Sequence, residues 1–226
     1  MGDSSWNGKH VSGTVAAIAD NSNSVIGGAF TAKILPVRVL GKGGGYVSDI
    51  AEGMLWAVGV HPTVSNPSPA RVLNLSLGGT GSCSITQQTA INSAVAAGAV
   101  VVVAAGNENT DMATASPASC SNVISVAAIA RDGSRAAYSN YSSPADTGAQ
   151  RVNVTLAAQG GDTSLSPFDQ GINSTYNSGL TTAATATYAY KEGTSMATPH
   201  VAAAAALMLA RNSALTPPKY KTIFTT

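Results

Sequence analysis

The chain has 226 residues, 44% hydrophobic and only 10% charged, with a formal net charge of +1. That length and apolar content support one large domain with its own core and exclude a disordered chain. The near-zero charge gives no electrostatic footprint for nucleic acid or an anionic membrane surface, so neither is expected as a partner.

Near the start, His10 to Ala19 places Val11, Val15, Ala16 and Ile18 close to helical spacing, and the polar turn Asp20-Asn21-Ser22-Asn23-Ser24 ends the run. Ile34 to Leu40 is β-branched and apolar and predicts a strand, Val47 to Val60 a helix, and Arg71 to Leu77 a second strand. Gln87 to Ala97 reads as a helix closed by Gly98. Ala99 to Ala105 is a continuous apolar strand of the kind buried on both faces in a parallel sheet, and Asn122 to Ile129 repeats that pattern. From Ala136 to Gln170 loops dominate, with Val152 to Leu156 the one good strand candidate; Gly160-Gly161 and Asn173 to Thr187 read as turns and exposed connections. Val201 to Leu209 continues a helix, and Leu215-Thr216-Pro217 reads as a capped helix start that has hardly begun at Thr226. The alternation of strands with helices predicts β-α-β units and a parallel sheet. Both apolar runs, 99–105 and 201–209, are far shorter than the ~20 residues of a membrane-spanning helix. Gly2 to Gly8 has neither the basic start nor the apolar run of a secretory signal.

Gly193-Thr194-Ser195-Met196-Ala197-Thr198-Pro199-His200 precedes the alanine-rich helix. A serine between glycine and a helix start is either an N-cap or a hydroxyl nucleophile presented where backbone N–H groups favour negative charge. Ala197 stands where a Gly-x-Ser-x-Gly elbow needs its second glycine, so the segment is not that motif. The octapeptide resembles the nucleophile signature of the subtilisin-like serine proteases, closest to their proteinase-K-like and bacterial extracellular members. Asn7-Gly8-Lys9-His10-Val11-Ser12-Gly13-Thr14 resembles the histidine block of that family, with Asn7 where the family has its general base and His10 at the second, noncatalytic histidine. Ala104-Ala105-Gly106-Asn107 resembles the block whose asparagine donates to the oxyanion. Ser76, Leu77, Gly78 and Gly79 are similar to the strand edge that pairs with substrate backbone, and Gly45 and Tyr46 fall at its opposing strand.

The resemblance implies an α/β, three-layer fold with a mostly parallel sheet flanked by helices on both faces. It implies one peptidase domain over residues 1–226, lacking the aspartate block and the end of the family domain. The implied chemistry is endopeptidase action on an extended peptide or protein, with Ser195 as nucleophile and Asn107 as oxyanion donor. A carboxamide at position 7 has no useful basicity, and the family order Asp, His, Ser puts the aspartate block before residue 7. The expectation is therefore a protease by descent that is inactive as written; a noncatalytic peptide-binding pseudoprotease and a gene fragment are the alternatives. The family also implies an extracellular, monomeric protein with no required cofactor. Structural calcium is an option at Asp20-Asn21-Ser22-Asn23, against a solvated polar turn.

Further expectations attach to single residues. Ala203 stands where the family has glycine and could crowd a closely packed helix. Gln159 replaces a turn residue, His200 is a core histidine, and His61 is a loop residue without a role. Ala115, Ser116 and Ala118 resemble the floor of the first specificity pocket, and Glu108 could favour basic side chains there. Two cysteines, Cys83 and Cys120, fit either two inert thiols or one disulfide in an exported protein; their loops in the family predict Cα atoms within about 7 Å.

Overall fold

The computed structural model describes residues 5–143, 153–164 and 171–225. In chain order these form α1 (Asn7–Ala16), α2 (Val47–Ala57), β1 (Val72–Leu75), β2 (Gly79–Thr80), α3 (Ile85–Ala96), β3 (Val100–Ala104), β4 (Ala115–Ser116), β5 (Ile124–Ile129), β6 (Leu156–Gln159), β7 (Ile172–Asn177), β8 (Ala186–Lys191), α4 (Thr194–Arg211) and α5 (Pro217–Thr225).

A parallel sheet of order β1-β3-β5-β6 lies at the centre, with Val72 opposite Val100, Val102 opposite Ile124, and Val126 opposite Leu156. All five residues of β3 are buried, which requires apolar cover on both faces. Successive side chains divide between two cores. Val101 and Val103 join Ile50, Met54, Ile91 and Leu75 under α2 and α3, whereas Val100 and Val102 join Val15, Val201, Ala205 and Tyr220 under α1, α4 and α5. The result is helix, sheet, helix, as the resemblance implies. Each buried valine contributes about 1.5–3 kcal/mol, so β3 is the strand to which both layers are fastened.

Local chemistry sets the helix ends. Ser84 caps α3 by accepting the N–H of Gln87, and Gly98 at φ +86° turns the chain into β3, letting the Ala99 N–H reach the Ala94 carbonyl. In α4, Ala197, Ala202, Ala203 and Ala205 are buried, so the helix packs closely on the sheet. The Ala203 methyl is accommodated because Gly28 lies opposite: a Cβ on Gly28 would come within 2.9 Å of it. Arg211 ends α4 with a charge suited to the C-terminal dipole.

Four segments differ from the sequence reading. Residues 34–40 form no strand, although Val37 and Val39 pack on the core; Pro36 has no N–H to give to a ladder. Residues 173–187, expected as exposed connections, contribute most of an antiparallel β7–β8 hairpin with Thr175 opposite Tyr188. Its strands are Ser-, Thr-, Ala- and Tyr-rich, so the apolar alternation that signals a strand is missing. The strand expected over 152–156 begins at Leu156, and residue 152 lies outside the described residues. The final helix extends nine residues, to Thr225.

Cys83 and Cys120 form a disulfide with Cα atoms 5.0 Å apart. It links the loop before α3 to the loop before β5.

Candidate active site

Ser195 is the second residue of α4, whose N-cap is Gly193 at φ 144° and has no side-chain cap. The capping alternative therefore fails: Ser195 Oγ donates instead to the Ser76 carbonyl at 3.2 Å. The return contact follows from a proline. In a regular helix the Ser195 carbonyl would accept the N–H of residue 199, but Pro199 has none. Ser76 Oγ donates to that carbonyl at 2.7 Å, and Asn74 Nδ2 donates to Ser76 Oγ at 2.9 Å. The end of β1 is thereby joined to the start of α4 in both directions.

The segment after β3 comes to the same helix start. Asn107 Oδ1 accepts from the Thr194 N–H at 2.8 Å and from Thr194 Oγ1 at 3.0 Å. Thr194 Oγ1 in turn accepts the Gly106 N–H at 3.2 Å. Because its oxygen carries both bonds, the exposed Asn107 amide is oriented with Nδ2 bonded to no group among the described residues. Asn107 and Ser195 are thus brought together through Thr194.

Behind the loop lies Asn140, fully buried and absent from the sequence reading. Asn140 Nδ2 donates to the Ala105 carbonyl at 3.0 Å and to Glu108 Oε2 at 2.8 Å; its Oδ1 accepts the N–H groups of Glu108 and Thr110, each at 3.0 Å. Glu108 Oε2 also accepts the Asn107 N–H at 2.9 Å. The Glu108 carboxylate is thus engaged within the loop. Gly106, at φ +106°, must be glycine, since a Cβ would collide with the Asn140 amide.

Asn7 begins α1, next to Trp6 in the left-handed region, whose indole donates to the Gly179 carbonyl at 2.5 Å. Among the described residues no hydrogen bond joins the Asn7 side chain to Ser195, although α1 packs against α4. His10 is fully buried and points elsewhere: Nε2 lies 3.0 Å from both the Ile172 and the Ala189 carbonyls, and Nδ1 has no partner. Burial holds its pKa below the ordinary 6.5, with the Lys191 charge acting in the same direction and the two carbonyls opposing. A ring fixed on two hairpin carbonyls does not stand in for a base at position 7. Ser174 and Thr175 complete the attachment, donating to the His10 and Lys9 carbonyls at 2.6 and 2.8 Å.

Gly79 pairs antiparallel with Ser116, and Gly78 lets the Ser116 carbonyl approach: a Cβ there would lie 3.2 Å from it. Gly45 packs against the Val39 carbonyl, and Tyr46, 79% exposed, precedes α2. His200 is half-buried, with Nδ1 2.9 Å from the Met196 carbonyl and a pKa lowered by burial. His61 has a structural role after all: Nδ1 accepts the N–H groups of Thr63 and Val64, and Nε2 lies 2.7 Å from Glu52.

Residues 20–23 bring a single carboxylate, Asp20, while Asn21 Oδ1 and its carbonyl each accept from Asn23; the described residues hold no group of three or more His, Cys, Asp and Glu side chains that could hold a metal ion.

A parallel sheet between two helical layers, with a serine at a helix N-terminus and an asparagine amide oriented beside it, defines the class of subtilisin-like serine peptidase domains. The chain belongs to the subtilase family, whose profile it matches over residues 2–226. It is 47% identical over 223 residues to an extracellular protease of Xanthomonas campestris pv. campestris, covering 97% of this chain and 35% of that protein. An extracellular basic protease of Dichelobacter nodosus is 45% identical over 208 residues, with 91% and 32% covered. A solved protease of Pseudoalteromonas arctica superposes with a TM-score of 0.89 at 48% identity, over 98% of this chain and 63% of that one. The chain therefore spans about a third of the length of these two curated relatives.

Proposed function

We propose that this domain binds an extended peptide along Ser76 to Gly79 and Gly45-Tyr46 and presents Ser195 and Asn107 to one of its carbonyls, without cutting it at a protease's rate. The observation that carries this reading is the hydrogen bonding of Ser195: its hydroxyl is donated to the Ser76 carbonyl, while no basic group is bonded to it among the described residues. An unassisted serine is a weak nucleophile. The donor half of the chemistry is oriented: Thr194 fixes the Asn107 oxygen, which leaves the amide N–H groups for a developing oxyanion. Asn7, at the base position of the family pattern, supplies no proton acceptor of useful strength. The domain reading is one peptidase unit over residues 1–226. Secretion is supported by the disulfide, which suits an oxidising compartment, and by relatives named as extracellular proteases.

A fluorophosphonate probe and a peptide nitroanilide test the reading. Slow, substoichiometric labelling of Ser195 and negligible nitroaniline release are expected. Rapid stoichiometric labelling would show that another group serves as base.

A further inference from the structure

The loop from 105 to 110 carries the oxyanion donor; its first residue, Ala105, is buried just after β3, and Asn107, Glu108 and Asn109 are exposed. An exposed loop would ordinarily sample several conformations, and a donor displaced by about 1 Å loses most of its effect. We infer that Asn140 is the positioning residue for the oxyanion donor, holding the 105–110 loop in the one conformation in which the Asn107 amide faces the reacting carbonyl. This rests on the reading of Ser195 and Asn107 given above and adds to it a residue from a distant part of the chain.

The geometry is that of a staple. One buried carboxamide uses both its ends: the NH₂ group donates to Ala105 before Asn107 and to the Glu108 side chain, while the oxygen accepts from Glu108 and Thr110 after it. The Asn140 N–H donates to the Gly106 carbonyl at 3.1 Å, so the main chain at 140 holds the loop as well. Glu108 passes the constraint on, since its carboxylate accepts the N–H of Asn107 itself. None of these bonds uses the Asn107 side chain, which Thr194 grips. Thr194 therefore fixes the amide and Asn140 fixes the backbone that bears it. Other side chains cannot supply this pattern: alanine removes both the acceptor for the Glu108 and Thr110 N–H groups and the donor to the Ala105 carbonyl, and aspartate places a carboxylate against Glu108.

An equilibrium measurement avoids dependence on turnover. A short peptide aldehyde adds Ser195 Oγ to its carbonyl carbon, the serine proton passing to the former carbonyl oxygen, and so places an oxygen where the oxyanion would lie. The corresponding peptide alcohol forms no such bond. The ratio of the two Kd values reads the donor site. In the present chain the aldehyde should bind more tightly, and Asn107→Ala should remove most of that preference. Asn140→Ala should lower the preference by between about 10- and 100-fold, leave alcohol binding unchanged, and have no further effect once Asn107 is alanine. Amide exchange at Glu108 and Thr110 should accelerate while Val101 to Val103 stay protected. If Asn140→Ala keeps the preference, or lowers it equally in the Asn107→Ala background, the inference is overturned while the reading of the site stands. If the present chain shows no preference for the aldehyde, the reading of Ser195 and Asn107 falls first and this inference with it. Should Asn140→Ala lose its fold, Glu108 decides: Glu108→Ala removes the acceptor shared by the Asn140 amide and the Asn107 N–H and must lower the preference, whereas Glu108→Gln, whose amide oxygen still accepts both, must keep most of it. An unchanged preference in Glu108→Ala would refute the staple.

Discussion

The loop bearing Asn107 and the helix start bearing Asn7 are held by different means. The first is tied down from every side: Thr194 grips its side chain, Asn140 and Glu108 its backbone, and Ser76 and Ser195 join the strand and helix that frame it. A disulfide closes the neighbouring loops. At the second, α1 is attached to the β7–β8 hairpin through His10, Ser174 and Thr175, and the Asn7 side chain bonds to none of them. An oxyanion donor is built from many residues, so its geometry survives changes elsewhere. A general base depends on what one residue can accept. The fold can therefore keep the first region intact whichever residue stands at position 7.

The largest expected effect tests the covalent part of that contrast. Cys83 and Cys120 are 37 residues apart, and a loop of that length corresponds to about 4 kcal/mol of chain entropy. Replacing both by serine should lower Tm by roughly 8–16 °C in a domain of this size. A shift of a degree or two in calorimetry would show that the loops are held by their hydrogen bonds alone.

Asn7→His addresses the other region directly. In subtilisin, a member of this family for which the handicap of each triad residue is known, losing the histidine costs about 2 × 10⁶ in kcat and losing the aspartate about 3 × 10⁴. Where no carboxylate orients the new histidine, Asn7→His should thus gain at most the ratio, roughly 70-fold, which corresponds to about 2.5 kcal/mol. Nitroanilide hydrolysis measures it. Ordinary protease turnover from this one change would mean that a carboxylate already orients position 7.

Ser174→Ala should come next, at about 0.5–1.5 kcal/mol in denaturant unfolding, because it removes a buried hydrogen bond from the hairpin to the His10 carbonyl, which keeps Thr14 Oγ1 at 3.4 Å. An unchanged midpoint would mean that the hairpin holds α1 by packing alone.

How much of this was readable from the chain follows from what each element depends on. The mostly apolar runs at 99–105 and 122–129 announce buried parallel strands because burial on both faces leaves little room for polar residues; Ser125 of β5 is buried with its hydroxyl donating to the Asn153 carbonyl. The nucleophile block and Asn107 are legible because each is local. The β7–β8 hairpin was not, since its stability comes from polar contacts to α1 that only the fold creates. Nor was Asn140: it is one asparagine among several, 33 residues after Asn107, and nothing in its neighbourhood records that its amide is buried against that loop. The segment 34–40 shows the reverse, a strand-like composition whose alternation with the core is kept but whose ladder is missing. His61 was misjudged for the same reason as Asn140, its partner Glu52 lying on α2.

The smallest effect expected is a dependence of stability on pH that originates on the α1 side. His10 is buried with its Nε2 proton shared between two carbonyls and with Nδ1 facing no acceptor. A second proton would sit on Nδ1 without a partner, and the nearby Lys191 charge disfavours it further, so the folded-state pKa lies below the unfolded value near 6.5. The unfolded chain therefore binds more protons than the folded one as pH falls past 6.5. The stability from His10 is complete above that pH, declines as pH drops toward the lowered folded pKa, and levels off below it. His200 is shifted in the same direction by its own burial and adds to the slope. His10→Gln keeps a donor for the two carbonyls and removes the titration, so its Tm should fall less steeply than that of the parent between about pH 7.5 and 5.5, a range above most carboxylate titrations. Parallel Tm curves for the two proteins would place the pH dependence elsewhere and remove His10 as the titrating link between α1 and the hairpin.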